Sequence, residues 1–110
     1  MIKRGDVIYL KEEAYSKIKG NIEAGSRPML IVSNDTGNKH SSIAIAVPLT
    51  MNKKKLDFPT HTLVNGNSVA LCEQLFTISQ ADIERKIGEA TAAEMDVVNV
   101  CLIKSLGLKI

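Results

Sequence analysis

The chain has 110 residues, of which 45% are apolar, so we expect one domain over residues 1–110 with its own core. Its net charge of +2 excludes a strongly basic nucleic-acid-binding domain. The one cationic cluster is Lys53–Lys55. No apolar run approaches the roughly 20 residues that cross a bilayer, and no signal peptide is recognisable. We therefore expect a cytoplasmic protein with no membrane partner.

Residue types that bind metals are few and scattered. Cys72 and Cys101 both lie in apolar patterns, which predicts two reduced, buried thiols. His40 lies in a polar turn and His61 in a strand, and neither has further ligands at the spacing of a metal site. Both histidines are expected at the surface. The sequence also has no glycine-rich phosphate loop, so we expect neither a metal nor another cofactor.

The first half of the chain begins with a turn signal at Gly5-Asp6 and a short β run at residues 7–10. Residues 12–26 form a long connection, and connections of this length in small domains are often functional. This one carries Lys17 and Tyr15. The tyrosine ring either stacks on a base or covers the end of the sheet.

Two further strands are predicted at residues 27–33 and 42–50, antiparallel across a turn at residues 34–38. Pro48 predicts a bulge or an edge near the end of the later strand, because proline cannot donate to a ladder.

The second half predicts three more strands, the first two of them joined as a hairpin, and a final helix. A basic loop at residues 51–59 leads to a β run at 60–64, a tight turn at 65–67 and one long strand at 68–78. Ser79 is expected to cap a single helical turn, and a short strand follows at residues 83–89. The capping box Thr91–Glu94 then opens a helix that ends at Gly107. The whole pattern is that of a small antiparallel β-barrel with a C-terminal helix.

Antiparallel pairing also predicts where polar side chains meet. If the strands at 27–33 and 42–50 form a hairpin, the start of one lies beside the end of the other. Arg27 and Thr50 then come close at the open end, from which Lys53–Lys55 also leaves. An arginine, a hydroxyl and lysines on one rim suit a phosphodiester. A solvated rim with an ion-paired arginine is the alternative that geometry leaves open.

Six segments of the chain, in order, resemble the MazF/PemK toxin family. They are Lys3–Val7, Gly25–Pro28, Ser33–Asn38, Val47–Thr50, Leu71–Gln74 and Ile103–Leu108. The resemblance implies the SH3-like β-barrel of the MazF/PemK/CcdB-like toxins. It also implies a homodimer, and a sequence-specific endoribonuclease of a toxin–antitoxin system that cleaves single-stranded mRNA without metal. The expected products are a 2′,3′-cyclic phosphate and a 5′-hydroxyl. A cognate antitoxin would lay an acidic segment along the basic groove.

Carried over by position, the resemblance implies that Arg27 and Thr50 are the catalytic residues. Arg27 would stabilise the charged pentacoordinate phosphate, and Thr50 would bind the scissile phosphate or orient the 2′-hydroxyl. Gln74 would read or hold a nucleotide. We also expect substrate contacts from the predicted loops, namely from Tyr15, Lys17, Asn21, Glu23, Lys53 and Lys54.

The loop before Arg27 departs from the family pattern. Many members carry Gly-Ser-Glu-Gln-x-Gly, and the aligned run here is Gly20-Asn21-Ile22-Glu23-Ala24-Gly25. Because groups around unstacked bases set RNA specificity, the target sequence is not predicted. Two other functions stay open on the same fold: a toxin that inhibits DNA gyrase, and a non-catalytic RNA-binding module.

Overall fold

The computed structural model describes residues 1–18 and 27–109. In these residues there are seven β-strands, three α-helices and two short 3₁₀ turns. The strands are β1 (Asp6–Leu10), β2 (Met29–Ile31), β3 (Ile43–Thr50), β4 (His61–Val64), β5 (Ser68–Leu71), β6 (Phe76–Ser79) and β7 (Ile83–Glu89). The α-helices are α1 (Glu12–Tyr15), α2 (Asp35–His40) and α3 (Ala92–Leu106), and the 3₁₀ turns are Lys53–Asp57 and Gln80–Asp82.

All the strand pairs are antiparallel, and the strands follow the order β4-β5-β3-β2-β1-β7 with β6 also paired to β3. The antiparallel pairing of β2 with β3 confirms that prediction. The mainly antiparallel sheet with a C-terminal helix likewise agrees with the predicted fold class. No helix among residues 1–18 and 27–109 is long and apolar enough to cross a membrane.

The strands bury side chains on both faces because successive residues of a strand point to opposite sides. On one side, Val7 and Leu30 join a cluster that α3 covers with Met95 and Val98. On the other side, the alternate strand residues join a second cluster with Ala14 of α1. The strand members of this second cluster are Ile8, Leu10, Met29, Ile31, Ala44, Ala46 and Ile78. The two clusters explain why β2 is apolar at every position.

The long strand predicted at residues 68–78 is wrong, because the chain breaks into β5 and β6 there. Both pair with β3, but Leu49 lies opposite Ala70 whereas Ala46 lies opposite Phe76. Between these two pairs, the segment from β5 to β6 has five residues (71–75), whereas β3 has only two (47 and 48). One of those two is Pro48, which has no N–H to continue the ladder. The extra residues form the turn that contains Glu73 and Gln74.

The predicted turn at residues 34–38 is a helix instead. The side chain of Asn34 accepts a hydrogen bond of 2.7 Å from the backbone N–H of Gly37 and so caps the N-terminus of α2. Asn38 is buried in this helix and donates to the carbonyl of Ser33 at 2.9 Å. Asparagine and aspartate are typical of turns and of helix caps alike, so their composition did not distinguish the two.

Three local predictions near the C-terminus can be compared with the structure. The capping box of α3 is confirmed, since Thr91 and Glu94 each accept the other's backbone N–H, and Gly107 ends the helix at φ +67°. Residues 83–89 form the predicted strand. The capping by Ser79 is wrong, because its side chain makes no cap hydrogen bond.

Candidate functional site

Arg27 and Thr50 meet where β2 begins and β3 ends. Met29 lies opposite Pro48 in the β2–β3 register, and extending this register by two residues puts Arg27 opposite Thr50. The guanidinium Nη1 donates to the Thr50 hydroxyl at 3.2 Å. The proximity expected from antiparallel pairing is therefore confirmed. This proximity does not by itself assign a role to either side chain. The contacts around them show which groups they can present to a ligand.

The Thr50 hydroxyl is held between two donors. Besides Arg27, the backbone N–H of Asn52 donates to Thr50 Oγ1 at 3.2 Å. A hydroxyl has one proton and two lone pairs, so two incoming donors leave its proton to be donated elsewhere. Thr50 is only 8% exposed, which restricts the direction of that proton. The pair can thus present a guanidinium and an O–H to one anion.

Tyr15 fixes the backbone of Arg27. Its hydroxyl accepts from the backbone N–H of Leu10 at 3.0 Å and donates to the backbone carbonyl of Arg27. Burial raises the pKa of Tyr15, so the hydroxyl keeps the proton that it donates. Tyr15 is the last residue of α1, and its side chain packs against the second core cluster. Its predicted contact with a substrate stays a prediction.

Replacing Tyr15 with phenylalanine tests this anchoring. We expect the free energy of unfolding to fall by about 1–3 kcal/mol, because the variant removes both hydrogen bonds while keeping the ring. Urea unfolding followed by circular dichroism measures the change. Tyr9→Phe is the matched control, since the Tyr9 ring lies 4.9 Å from the Arg85 guanidinium carbon and a phenyl ring preserves that contact. Equal stability of the two variants would contradict the anchoring.

A cleft of about 440 Å³ opens beside Arg27 and Thr50. Its walls are mostly apolar, and they come from strands that extend across the sheet from β5 to β7. The lining residues are Tyr9, Arg27, Pro28, Leu49, Thr50, Met51, Ser68 and Ile87. The guanidinium of Arg27 and the hydroxyl of Thr50 can bind an anionic group, and the apolar walls can bind an apolar or planar group. The cleft therefore suits a ligand that contains both.

Of the other predicted site residues that the structure describes, none lines this cleft. Lys17 is exposed after α1, and Lys54 is exposed in the 3₁₀ turn that follows Thr50. The ammonium group of Lys53 donates to the backbone carbonyl of Asn67, in the β4–β5 hairpin. Asn21 and Glu23 lie outside the described residues. The structure thus brings Arg27 and Thr50 together. The lysine-rich turn Lys53–Asp57 follows Thr50 closely in the sequence.

Gln74 lies in the turn between β5 and β6 and does not line the cleft. Its Oε1 atom is buried and accepts no hydrogen bond within residues 1–18 and 27–109. An unsatisfied buried acceptor costs free energy, which is consistent with a group kept for an external donor. Its predicted contact with a nucleotide stays a prediction.

Sequence reasoning missed several wall residues of the cleft and misjudged His61. Ile87 reaches the cleft only because β7 pairs with β1, and no local pattern reveals that pairing. The expectation of a surface His61 is wrong, since its side chain is 4% exposed. Its burial is accompanied by hydrogen-bond partners for both ring nitrogens, since Nδ1 contacts the backbone carbonyl of Lys55 and Nε2 contacts the carboxylate of Glu73. His40 is exposed as expected, and Cys72 and Cys101 are buried free thiols as expected.

The pKa of the Cys72 thiol is raised to about 12 by burial, and burial also raises that of Cys101. Thiols react through their thiolate form, so neither is suited to nucleophilic chemistry. In the part of the chain described here, no group of three histidine, cysteine, aspartate or glutamate residues could hold a metal ion.

Known proteins resemble the chain over nearly its whole length. The family described as PemK-like, MazF-like toxin of type II toxin–antitoxin systems matches residues 3–106. A structure described as an endoribonuclease in complex with its cognate antitoxin, from a mycobacterial species, has a TM-score of 0.81 at 25% identity and covers 100% of this chain and 99% of its own. MazF from Deinococcus radiodurans has a TM-score of 0.77 at 20% identity, with 97% of each chain covered.

The Mycobacterium tuberculosis toxin MazF-mt6 shares the fold as well, with a TM-score of 0.72 at 18% identity over 96% of this chain and 99% of that one. The family match extends from β1 to the end of α3 and includes both Arg27 and Thr50. The chain therefore belongs to the PemK-like, MazF-like toxins of type II toxin–antitoxin systems.

Proposed function

We propose that this toxin is a sequence-specific endoribonuclease that cleaves single-stranded RNA, chiefly mRNA, without a metal ion. The observation that carries the proposal is the contact of 3.2 Å between Arg27 Nη1 and Thr50 Oγ1 on the wall of the cleft. Two of the solved relatives, at 25% identity, are described as endoribonucleases. The cleft also has the mixed character that a phosphate joined to an unstacked base requires.

In the proposed reaction, the 2′-hydroxyl oxygen of one nucleotide attacks the adjacent phosphorus. The bond from phosphorus to the 5′ oxygen of the next nucleotide breaks. The 2′ oxygen loses its proton, and the leaving 5′ oxygen gains one. The products are a 2′,3′-cyclic phosphate and a 5′-hydroxyl, so the RNA supplies its own nucleophile and no water is consumed.

Arg27 would act on the pentacoordinate phosphate, where negative charge is greatest. Its guanidinium presents paired donors in a plane, a geometry that matches phosphate oxygens. Its backbone is fixed through the Tyr15 hydroxyl, so little reorganisation is needed as charge develops. The hydroxyl proton of Thr50 would donate to the same phosphate or orient the 2′-hydroxyl. A threonine hydroxyl is too weakly basic to remove the 2′ proton unaided.

The proposal is tested by incubating the pure protein with a long single-stranded RNA in EDTA and mapping the ends of the fragments. We expect cuts at a recurring short sequence, with cyclic phosphate at one end and 5′-hydroxyl at the other. Cleavage that depends on an added divalent ion, or intact RNA with inhibited DNA supercoiling by gyrase, would contradict it.

Thr50 offers a matched pair of variants. Thr50→Val keeps the shape but removes the hydroxyl, and we expect kcat to fall by about 10²-fold, the scale for loss of one donor to a developing oxyanion. Thr50→Ser keeps the hydroxyl and should retain most of the activity. Single-turnover cleavage of a short RNA containing the mapped site measures both. Equal rates for the two variants would show that the hydroxyl does not act on the reaction.

A cognate antitoxin and a second copy of the chain are the proposed protein partners. A structure at 25% identity is described as a complex with its cognate antitoxin, and an acidic antitoxin segment would suit the lysine-rich rim. For the homodimer, Ile43 and Ile45 on β3 are 47% and 39% exposed and offer an apolar face. Light scattering of the purified toxin gives its mass in solution, and co-purification with the neighbouring gene product tests the antitoxin.

A further inference from the structure

Among the residues that the structure describes, Tyr9 near the end of β1 is the only aromatic one in the wall of the cleft. Ile8 lies opposite Met29 in the β1–β2 register, and extending this register by one residue puts Tyr9 opposite Pro28. The backbone of Tyr9 is therefore one strand spacing, roughly 5 Å, from the residue that follows Arg27. An aromatic ring thus lines the same cleft as the guanidinium and the hydroxyl.

Two irregularities in the pairing of β1 with β7 flank Tyr9, which itself lies opposite Arg85. On each side of this pair, β7 has one residue more than β1, and the two extra residues are Ile87 and Glu84. Ile87 lines the cleft, whereas Glu84 lines a second pocket of about 280 Å³. Bulges of this kind are common beside binding sites, where they redirect side chains. Here the extra residue of each bulge lines a pocket, and Tyr9 lines both pockets.

Arg85 supports the Tyr9 ring from the side of the second pocket. Its guanidinium carbon lies 4.9 Å from the centroid of the ring, and Arg85 lines the second pocket but not the cleft. A guanidinium over an aromatic face is attracted by the quadrupole of the ring, so this contact restricts the rotation of the ring. The side of Tyr9 that faces the cleft is left open to a ligand.

Single-stranded RNA is recognised largely through unstacked bases, which stack on aromatic side chains. Every base has a flat face, and an aromatic ring offers a flat surface to match it. A base is joined to its phosphate through a single sugar, so the two must bind to neighbouring parts of one surface. The Arg27–Thr50 pair and the Tyr9 ring are such neighbours, because they line one cleft.

We propose that Tyr9, held by Arg85, is a substrate-binding residue on which a base of the RNA stacks while the adjacent phosphate lies at Arg27 and Thr50. The inference rests on the proposed function for its substrate, and it adds a base contact to the phosphate contacts already assigned. Stacking discriminates little among the four bases. Tyr9 therefore contributes affinity and orientation rather than the choice of target sequence.

Two variants of Tyr9 separate the ring from its hydroxyl. Tyr9→Leu keeps an apolar side chain without the ring and should weaken RNA binding about tenfold, the scale for loss of one stacked base. Tyr9→Phe keeps the ring and should bind within about threefold of wild type. Binding is measured by fluorescence anisotropy with an RNA that contains the mapped site and has hydrogen in place of the attacking 2′-hydroxyl, so that it cannot be cleaved.

Phe58→Leu is the matched control for Tyr9→Leu. Phe58 is 53% exposed but does not line the cleft, so this variant should bind the RNA as wild type does. If Phe58→Leu weakens binding as much as Tyr9→Leu, the loss of affinity is not specific to the cleft and the proposal is wrong.

Removing a base from the RNA tests the same contact from the other side. An abasic nucleotide at one of the positions that flank the cut should weaken binding to the wild-type protein about tenfold. Tyr9→Leu should bind the abasic and the intact RNA equally, because the partner of the missing base is already gone. If no flanking abasic position weakens binding to wild type, or if the two losses are fully additive, stacking on Tyr9 is refuted. The first of these tests uses unaltered protein, so misfolding of a variant cannot obscure it.

Arg85 is assigned a positioning role, which a double variant separates from its charge. Arg85→Gln should weaken RNA binding about threefold through loss of the contact with the ring. In the Tyr9→Leu protein, the same substitution should cost no more than Lys104→Gln, which removes one charge from the exposed side of α3. An equal loss from Arg85→Gln with and without the ring would show that Arg85 acts by charge alone and would remove it from the proposal.

A further readout does not depend on cleavage. The chain has two tyrosines and no tryptophan, so its intrinsic fluorescence comes from Tyr9 and Tyr15, and a base stacked on Tyr9 should quench part of it. Short RNA homopolymers of each of the four nucleotides, added in EDTA, should quench wild type but not Tyr9→Phe. Equal quenching of the two proteins would overturn the inference. If RNA quenches wild type in this way and is not cleaved, the proposed function fails and the base contact stands.

Discussion

Replacing Arg27 with alanine should lower kcat for RNA cleavage by at least about 10²-fold, with a smaller effect on binding. Under the proposed function, the guanidinium acts where charge develops, and loss of one such donor typically costs about 10²–10³-fold. The fold should survive, because Arg27 precedes β2 and its backbone, held by the Tyr15 hydroxyl, is unchanged by the substitution. Single-turnover cleavage of a short RNA containing the mapped site measures the rate, and circular dichroism checks the fold.

Arg27→Lys is the informative control for this variant. Lysine keeps the positive charge but loses the planar fork that can bind two phosphate oxygens and reach Thr50. We therefore expect a rate between those of wild type and Arg27→Ala, with binding close to wild type. If Arg27→Ala cleaves RNA at the wild-type rate, the assignment of Arg27 is wrong, whatever Thr50 does.

The second large effect is expected in the core. Leu30 is fully buried in β2, opposite Val7 on β1 and Val47 on β3. Replacing it with alanine should lower the free energy of unfolding by about 3–5 kcal/mol, because the substitution removes buried methyl groups and leaves a cavity between strands that cannot easily close. Urea unfolding gives this difference, and Tm should fall by several degrees for each kcal/mol lost.

Val97→Ala is the matched surface variant. Val97 is 48% exposed in the middle of α3, and alanine has the higher helix propensity there. Its free energy of unfolding should change little or rise slightly. A loss for Val97→Ala as large as that for Leu30→Ala would mean that α3 is covered in solution, as it would be in an oligomer.

Much of the fold was predictable where the local residue types favour a single backbone conformation. The capping box at Thr91–Glu94 and the stop at Gly107 bound α3 correctly, and the hairpin turn at Asn65-Gly66 has the positive φ angles that this dipeptide favours. Residues 34–38 were misassigned because asparagine serves turns and helix caps equally. The break near Glu73 was missed because it shows only in how β5 and β6 pair with β3.

Part of the candidate site could also be predicted from the sequence, and part could not. Counting outward along an antiparallel pair was enough to bring Arg27 beside Thr50, since pairing geometry converts sequence distance into spatial distance. The burial of His61 depends on Glu73, which the break between β5 and β6 brings to it. No pattern around His61 alone reveals that contact. Contacts that depend on an irregular part of a sheet, such as the contact of His61 with Glu73, are therefore hard to predict from a single sequence.

The Tyr15 hydroxyl has a consequence for how this toxin could change its target. By bonding to the Arg27 carbonyl and the Leu10 N–H, it ties together the two ends of the chain segment between them. A segment whose ends are already joined can vary in sequence or length at small entropic cost. That segment includes Asn21 and Glu23, which lie in the run that differs from the Gly-Ser-Glu-Gln-x-Gly pattern described above. Under the proposed function, exchange of residues 19–26 between toxins should change the target preference while Tyr15, Arg27 and Thr50 keep their contacts.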